Sequence, residues 1–220
     1  MASRHRANRK NRFPARSESH LLAKQNRRPE FTRKRAAAAG RNQQNNYVPP
    51  EDWHEPSDSG TGGFRVLVQD PGEGYEHPVT PAQIRERLAQ LPAEMVEPLE
   101  VVQLSRMTTK KRSFPCYGMQ WGTAIYLYPL EKGFVEFFSR PPRPAEHNDA
   151  KQFGGRWVQQ GSEWKLVWTR AAIADYYLNN VLIHELGHLL DNRNSSFRDR
   201  ERYAEWFAIE HGYKPTRRRA

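Results

Sequence analysis

Apolar positions recur with a structural period only from residue 64 onward in this 220-residue chain. From Phe64 to Gln69 apolar and polar residues alternate as in a short strand, and Asp70-Pro71-Gly72 supplies the turn that closes it. Thr80 followed by Pro81 reads as a helix cap with proline at the first helical position. Ile84, Leu88 and Leu91 then recur at helical spacing until Pro92, which predicts a helix over about 81–91. Aromatic and β-branched content predicts strands over Leu99–Ser105, Thr123–Tyr128 and Phe134–Phe138, before the proline-rich run 140–144 breaks the pattern. Gly161-Ser162 separates Arg156–Gln160 from Glu163–Trp168, where Trp164, Leu166 and Trp168 alternate, the signature of a two-residue hairpin. The period lengthens at Ala171, predicting a helix to Asp191 and a second from Phe197 to about Glu210.

These elements predict an α+β domain over residues 63–213, a small twisted β-sheet packed on two consecutive helices. Composition separates it from what precedes it. Residues 1–62 run through Asn, Gln, Arg and Ala to Pro49-Pro50 and then to a Ser/Gly-rich stretch, as in a disordered basic tail with a linker. Residues 214–220 read as a basic C-terminal tail.

Charge sharpens the division. Residues 1–48 carry 13 Lys and Arg against 2 acids, and the remainder carries 22 against 23, so the net +10 belongs to the tail and not to a domain face. Such an arm could touch nucleic acid or an anionic surface, or serve only as a solvated extension. The single Cys116 excludes an intrachain disulfide and a thiolate zinc cage. No stretch approaches the roughly 18 apolar residues of a membrane span, and the start lacks the apolar segment of a secretory signal, so a soluble, cytoplasmic protein is expected. The Arg-rich, acid-poor start has the composition of an organellar transit peptide but lacks helical amphipathicity.

The chemistry concentrates in His184-Glu185-Leu186-Gly187-His188. Residues four apart on a helix leave the same face one turn apart, so both imidazoles could clamp one Zn²⁺. Glu185 is rotated about 100° to the side, where it would miss the metal but reach a water on it, the general-base position. Val181, Leu182, Ile183, Leu186, Leu189 and Leu190 frame the motif as a buried helix requires. A third donor is still needed. Glu201 and Glu205 lie one turn apart on the following helix, with the small Ala204 and Ala208 beside them to permit close approach, and spacing alone does not choose between the two acids.

The pair HELGH and Glu-x-x-Ala-Glu-x-Phe-Ala resembles the gluzincin metallopeptidases, the compact minigluzincins above all, over about residues 175–211. Only twelve residues separate His188 from Glu201, which suits the compact members. The resemblance implies a zinc endopeptidase acting on a peptide or protein, with Glu201 as third ligand and Glu205 orienting His184. It also implies that the strand Thr123–Tyr128 offers its edge to an extended peptide. Asp191 is a candidate for a supporting acid near His188, with helix capping or a contact to Arg193 as its other use. Tyr126, Tyr128, His147 and His211 are available as oxyanion helpers, and none is assigned. A metzincin pattern fails, because Asp191 and Asn194 stand where it requires Gly and His. The alternative to an active enzyme is a latent or inactive zinc-binding domain acting as a regulator through a partner or through nucleic acid bound by the tail.

Overall fold

Inner strands covered on both faces read as short unbroken apolar runs, and two such runs form the centre of the main sheet in the computed structural model, which describes residues 49–55, 63–113 and 116–218. Its elements are β1 (Arg65–Val68), β2 (Tyr75–Glu76), α1 (Pro81–Leu88), α2 (Ala93–Val96), β3 (Val101–Leu104), α3 (Thr109–Ser113), β4 (Gly118–Trp121) and β5 (Ala124–Leu127). They continue through β6 (Leu130–Glu131), β7 (Val135–Phe138), α4 (Pro144–Gln152), β8 (Arg156–Gln160) and β9 (Glu163–Val167). The C-terminal part holds α5 (Arg170–Tyr176), α6 (Leu182–Leu190), α7 (Phe197–Phe207) and α8 (Lys214–Arg217). Two π-helical stretches, Tyr177–Val181 and Ala208–Tyr213, join α5 to α6 and α7 to α8.

The chain is thus a mixture of helices with small sheets. The expected single sheet is divided into three. β1, β3, β5 and β4 form one in that order, with β1, β3 and β5 parallel and β4 antiparallel to β5. β2 pairs with β6, and β7, β9 and β8 form an antiparallel sheet of their own. The division follows from chain connection. Parallel β1 and β3 need the crossover that α1 and α2 provide, whereas β8 and β9 close locally through Gly161, at φ +60°, as the hairpin pattern predicts.

Thr123–Tyr128 was expected to be an edge. Its strand, Ala124–Leu127, instead lies inside the sheet between β3 and β4, every residue buried. The terminal position belongs to β4, where Gly118-Met-Gln-Trp carries neither clear alternation nor β-branched residues.

Helix α1 begins as its sequence requires. Thr80 Oγ1 accepts from the Gln83 amide at 3.3 Å, and the Gln83 side chain accepts from the Thr80 amide at 2.9 Å. The helix ends at Leu88, earlier than Leu91. Beyond the run 140–144, Pro144 occupies the first turn of the unexpected helix α4, where its missing N–H costs nothing, and Glu146 accepts from the Arg143 amide at 2.8 Å.

Both ends of the domain extend past their expected limits. The tail 1–48 and the linker residues 56–62 lie outside the described residues. Residues 49–55, expected to be linker, dock on the main sheet instead. Pro50 is buried, His54 Nε2 donates to Gln103 Oε1 at 2.7 Å, and its ring stacks 5.9 Å from Tyr126. Residues 214–217, expected to be tail, form the turn α8, and Arg217 donates to Asp175 at 2.6 Å while covering Phe153 and Tyr213.

The principal core joins Ile84 and Leu88 of α1, Ile125 and Leu127 of β5, and Val181, Leu182, Ile183 and Leu186 around α6. Each such side chain contributes about 1.5–3 kcal/mol on burial. No helix among the described residues is long and apolar enough to cross a membrane.

Candidate metal centre

An amphipathic helix buries one stripe, but α6 is surrounded: residues 182–188 are all buried, including His184, Glu185 and His188. The one-turn spacing brings the His184 and His188 rings to 4.7 Å between centroids, at 79° to one another. Glu201 arrives from α7, which starts where Ser196 Oγ accepts from the Asp199 amide at 3.1 Å. Its Oε1 lies 3.2 Å from His188 Nε2, and its Oε2 lies 3.7 Å from His184 Nε2. One donor atom from each of the three residues falls within 4.8 Å of the others.

Close helix contact makes this reach possible. A Cβ on Gly187 would stand 3.1 Å from Ala204 Cα, closer than side chains usually pack, so a larger residue there would have to push α7 outward by a few tenths of an ångström. The π-helical stretches cross more tightly still: a Cβ on Gly212 would overlap the Asn179 carbonyl oxygen at 2.0 Å. Buried Arg87 of α1 bolts that crossing, donating to the Asn179 side chain and to the His211 carbonyl. Sequence reading passed over Gly187, Gly212 and Arg87 because their roles arise from contacts remote along the chain.

Arg200, beside Glu201, was passed over too. Its Nη2 donates to the His188 carbonyl and its Nη1 to the Asp191 carbonyl, each at 3.0 Å. Two carbonyls at the open end of α6 are thereby satisfied by the residue adjoining Glu201.

Burial, then the neighbouring His188, holds His184 well below the ordinary imidazole range. Burial and then Arg200 push His188 down to about 3, against the opposing pull of Asp191. Both rings are therefore neutral near pH 7, and the short His188–Glu201 approach is not an ion pair. His184 Nε2 and both ring nitrogens of His188 are buried without a hydrogen-bond partner. Neutral imidazoles that turn a lone pair each toward the point where a Glu201 oxygen also arrives make a two-nitrogen, one-oxygen set that fits a divalent metal.

Glu205 departs from its expected place. It is exposed on α7 and makes no hydrogen bond to His184; burial of part of its carboxyl, then Glu201, raises its pKa. Asp149 of α4, pushed to about 6 by burial and then by Glu205, is its neighbour. Asp191 caps the following turn, accepting from the Arg193 and Asn194 amides at 3.3 and 3.1 Å, and makes no hydrogen bond to an imidazole.

Of the four oxyanion candidates, Tyr126 and Tyr128 border one cleft, and His147 and His211 lie elsewhere. Tyr126 accepts from the His54 amide, and burial raises it to about 12. His147 is exposed on α4, and His211 lies 4.4 Å from the Phe207 ring. Tyr128 is buried, and Glu185 is among the charges that act on it. On the sheet side of Glu185 stands Gly118, where an added Cβ would be 3.1 Å from the carboxyl oxygen. No protein-family model matches the chain, and no curated protein or solved structure matches it.

Proposed function

We propose that this protein is a zinc-dependent endopeptidase of the gluzincin kind, with the main sheet beside the HExxH helix and the glutamate-bearing helix completing the metal set. The observation that carries the reading is the convergence of His184, His188 and Glu201 donor atoms within 4.8 Å beside a wholly buried Glu185. Desolvated neutral imidazoles offer their lone pairs, and the carboxylate supplies the charge that a divalent cation favours. Zinc held by these three residues would supply Lewis acidity and a water acidified toward neutral pH. Glu185 accepts the proton of the attacking water and returns it to the departing amine. Arg200 and the Gly187–Ala204 contact keep the donors at their mutual distances.

Metal analysis of the parent beside Glu201→Ala and Glu205→Ala, with peptide turnover of Glu185→Gln, tests the reading. Glu201→Ala is expected to lose zinc, Glu205→Ala to retain it, and Glu185→Gln to retain zinc while losing turnover. Full zinc occupancy in Glu201→Ala would remove the assigned ligand. Turnover in Glu185→Gln equal to the parent's would remove the assigned base.

A further inference from the structure

Lys111 of α3 is a buried cation that the metal centre does not use, only 8% exposed. Its Nζ donates to Cys116 Sγ at 3.3 Å and sits 4.2 Å from the centroid of the Tyr128 ring. Neither neighbour neutralises an ammonium. Burial pushes the Cys116 thiol up more strongly than Lys111 pulls it down, so the sulfur keeps its proton. Among the described residues no carboxylate lies within ion-pair distance of Nζ. Of the acids in the cleft wall, Asp52 accepts from Gln69 at 2.7 Å and pairs with Arg106 at 3.8 Å, and Glu51 is exposed, while the charge of Glu185 reaches Cys116 and Tyr128 without an ion pair to Lys111. Lysines are rarely this buried without an anion.

Lys111 lines a shallow, open cleft with Ser105, Thr108 and Tyr128, and Arg106 stands in its wall with the acids Glu51 and Asp52. The cleft opens where β1, β3 and β5 end: Gln69 follows the first, Ser105 the second and Tyr128 the third. Parallel strands collect ligands at such carboxyl ends, where loops diverge and leave a crevice. The cleft also adjoins the candidate centre. The Tyr128 amide donates to the Tyr117 carbonyl at 2.9 Å, and the next residue, Gly118, is the one packed against Glu185.

We propose that the cleft over Lys111 is a carboxylate-binding subsite for the substrate, receiving either an acidic side chain or a C-terminal carboxylate. The proposal rests on the peptidase reading for the word substrate, and on the buried ammonium and its cleft for the carboxylate. The Ser105 and Thr108 hydroxyls, which accept from the Gln103 side chain and the Lys111 amide, are left to donate to a carboxylate beside the ammonium.

Calorimetric titration of the full chain carrying Glu185→Gln tests it without turnover. Three probes share one alanine scaffold: a doubly blocked peptide with a central glutamate, an N-acetylated peptide with a free C-terminus, and a doubly blocked neutral peptide. At least one carboxylate peptide is expected to bind about tenfold or more tightly than the neutral one, the value of a charge-assisted hydrogen bond. Lys111→Met, which replaces a buried charge with a side chain of similar length, is expected to erase the preference, and Lys111→Arg to keep part of it. Preference for the glutamate probe assigns a side-chain subsite, and preference for the free terminus assigns a terminal one. Equal binding of all three probes, or a preference surviving in Lys111→Met, would overturn the proposal. Peptide cleavage by the chain with Glu185 intact is scored separately. Charge preference without any cleavage would overturn the peptidase reading and leave the carboxylate site in place.

Discussion

Gly187 and Ala204 meet where α6 and α7 cross: a Cβ on Gly187 would fall 3.1 Å from Ala204 Cα and 3.0 Å from Phe207 Cβ. The contact lies between the histidines on one helix and three residues past Glu201 on the other. It therefore sets how far the carboxylate must reach.

Gly187→Ala pits two effects of similar size against each other. Alanine in a helix interior gains about 1 kcal/mol over glycine, while overpacking costs about 1–3 kcal/mol, and a backbone atom of Ala204 cannot rotate away. Stability is expected to fall by no more than about 2 kcal/mol, whereas zinc affinity falls by about tenfold or more as α7 is displaced. Competition with a chromogenic chelator measures the second quantity, and unchanged zinc affinity would count against the crossing as the determinant of the site.

Arg200→Lys keeps the charge but loses the fork that grips the His188 and Asp191 carbonyls together. The substitution is expected to cost about 1.5–3 kcal/mol in urea unfolding, because hydrogen bonds from a charged donor are lost at a helix end. Zinc affinity is expected to drop with it, since the gripped carbonyl belongs to a proposed ligand. A lysine variant indistinguishable from the parent in both measurements would show that the fork has no such role.

Acid is expected to destabilise the metal-free chain before its ordinary carboxylates titrate. His184 and His188 are held neutral in the fold, well below the value of 6.5 that each regains on unfolding. The unfolded chain therefore binds more protons below pH 6.5, and stability present above that value is lost as pH falls toward about 3. Burial also lowers His77, which adds in the same direction. Asp149, raised to about 6, opposes them, but it is partly exposed and its share is smaller. With about 1.4 kcal/mol per pH unit per histidine, urea midpoints in chelator should correspond to a loss of about 2–3 kcal/mol between pH 7.5 and 5.5. His188→Gln should flatten the curve, and a parent curve already flat over that range would contradict the burial argument.

What could be read from the sequence was local. The one-turn relation of His184 to His188, the Thr80 cap and the Gly161 hairpin each depend on residues within a few positions of one another. Long-range contacts were silent. Nothing in Met119 or Gln120 announces a terminal strand, and nothing in Arg87 announces a bolt across Asn179 and His211. Prolines 49 and 50 read as a linker because composition carries no sign of His54 stacking on Tyr126. Glu205 illustrates the limit in the other direction. Its spacing from Glu201 placed it on the same helix, but its carboxyl makes no hydrogen bond to His184 and its charge acts on Asp149 of α4 instead.

The π-helical stretch Tyr177–Val181 governs the angular phase of everything after it. An ordinary helix advances by about 100° per residue, and a wider turn absorbs one residue that a regular turn would have to count. Shortening the stretch by a single residue would keep the helix, its length and its apolar character nearly unchanged. It would also swing both imidazoles about a quarter of a revolution or more away from Glu201. The donor cluster thus depends on an irregularity that ends less than one turn before His184, in a segment that carries none of the chemistry itself.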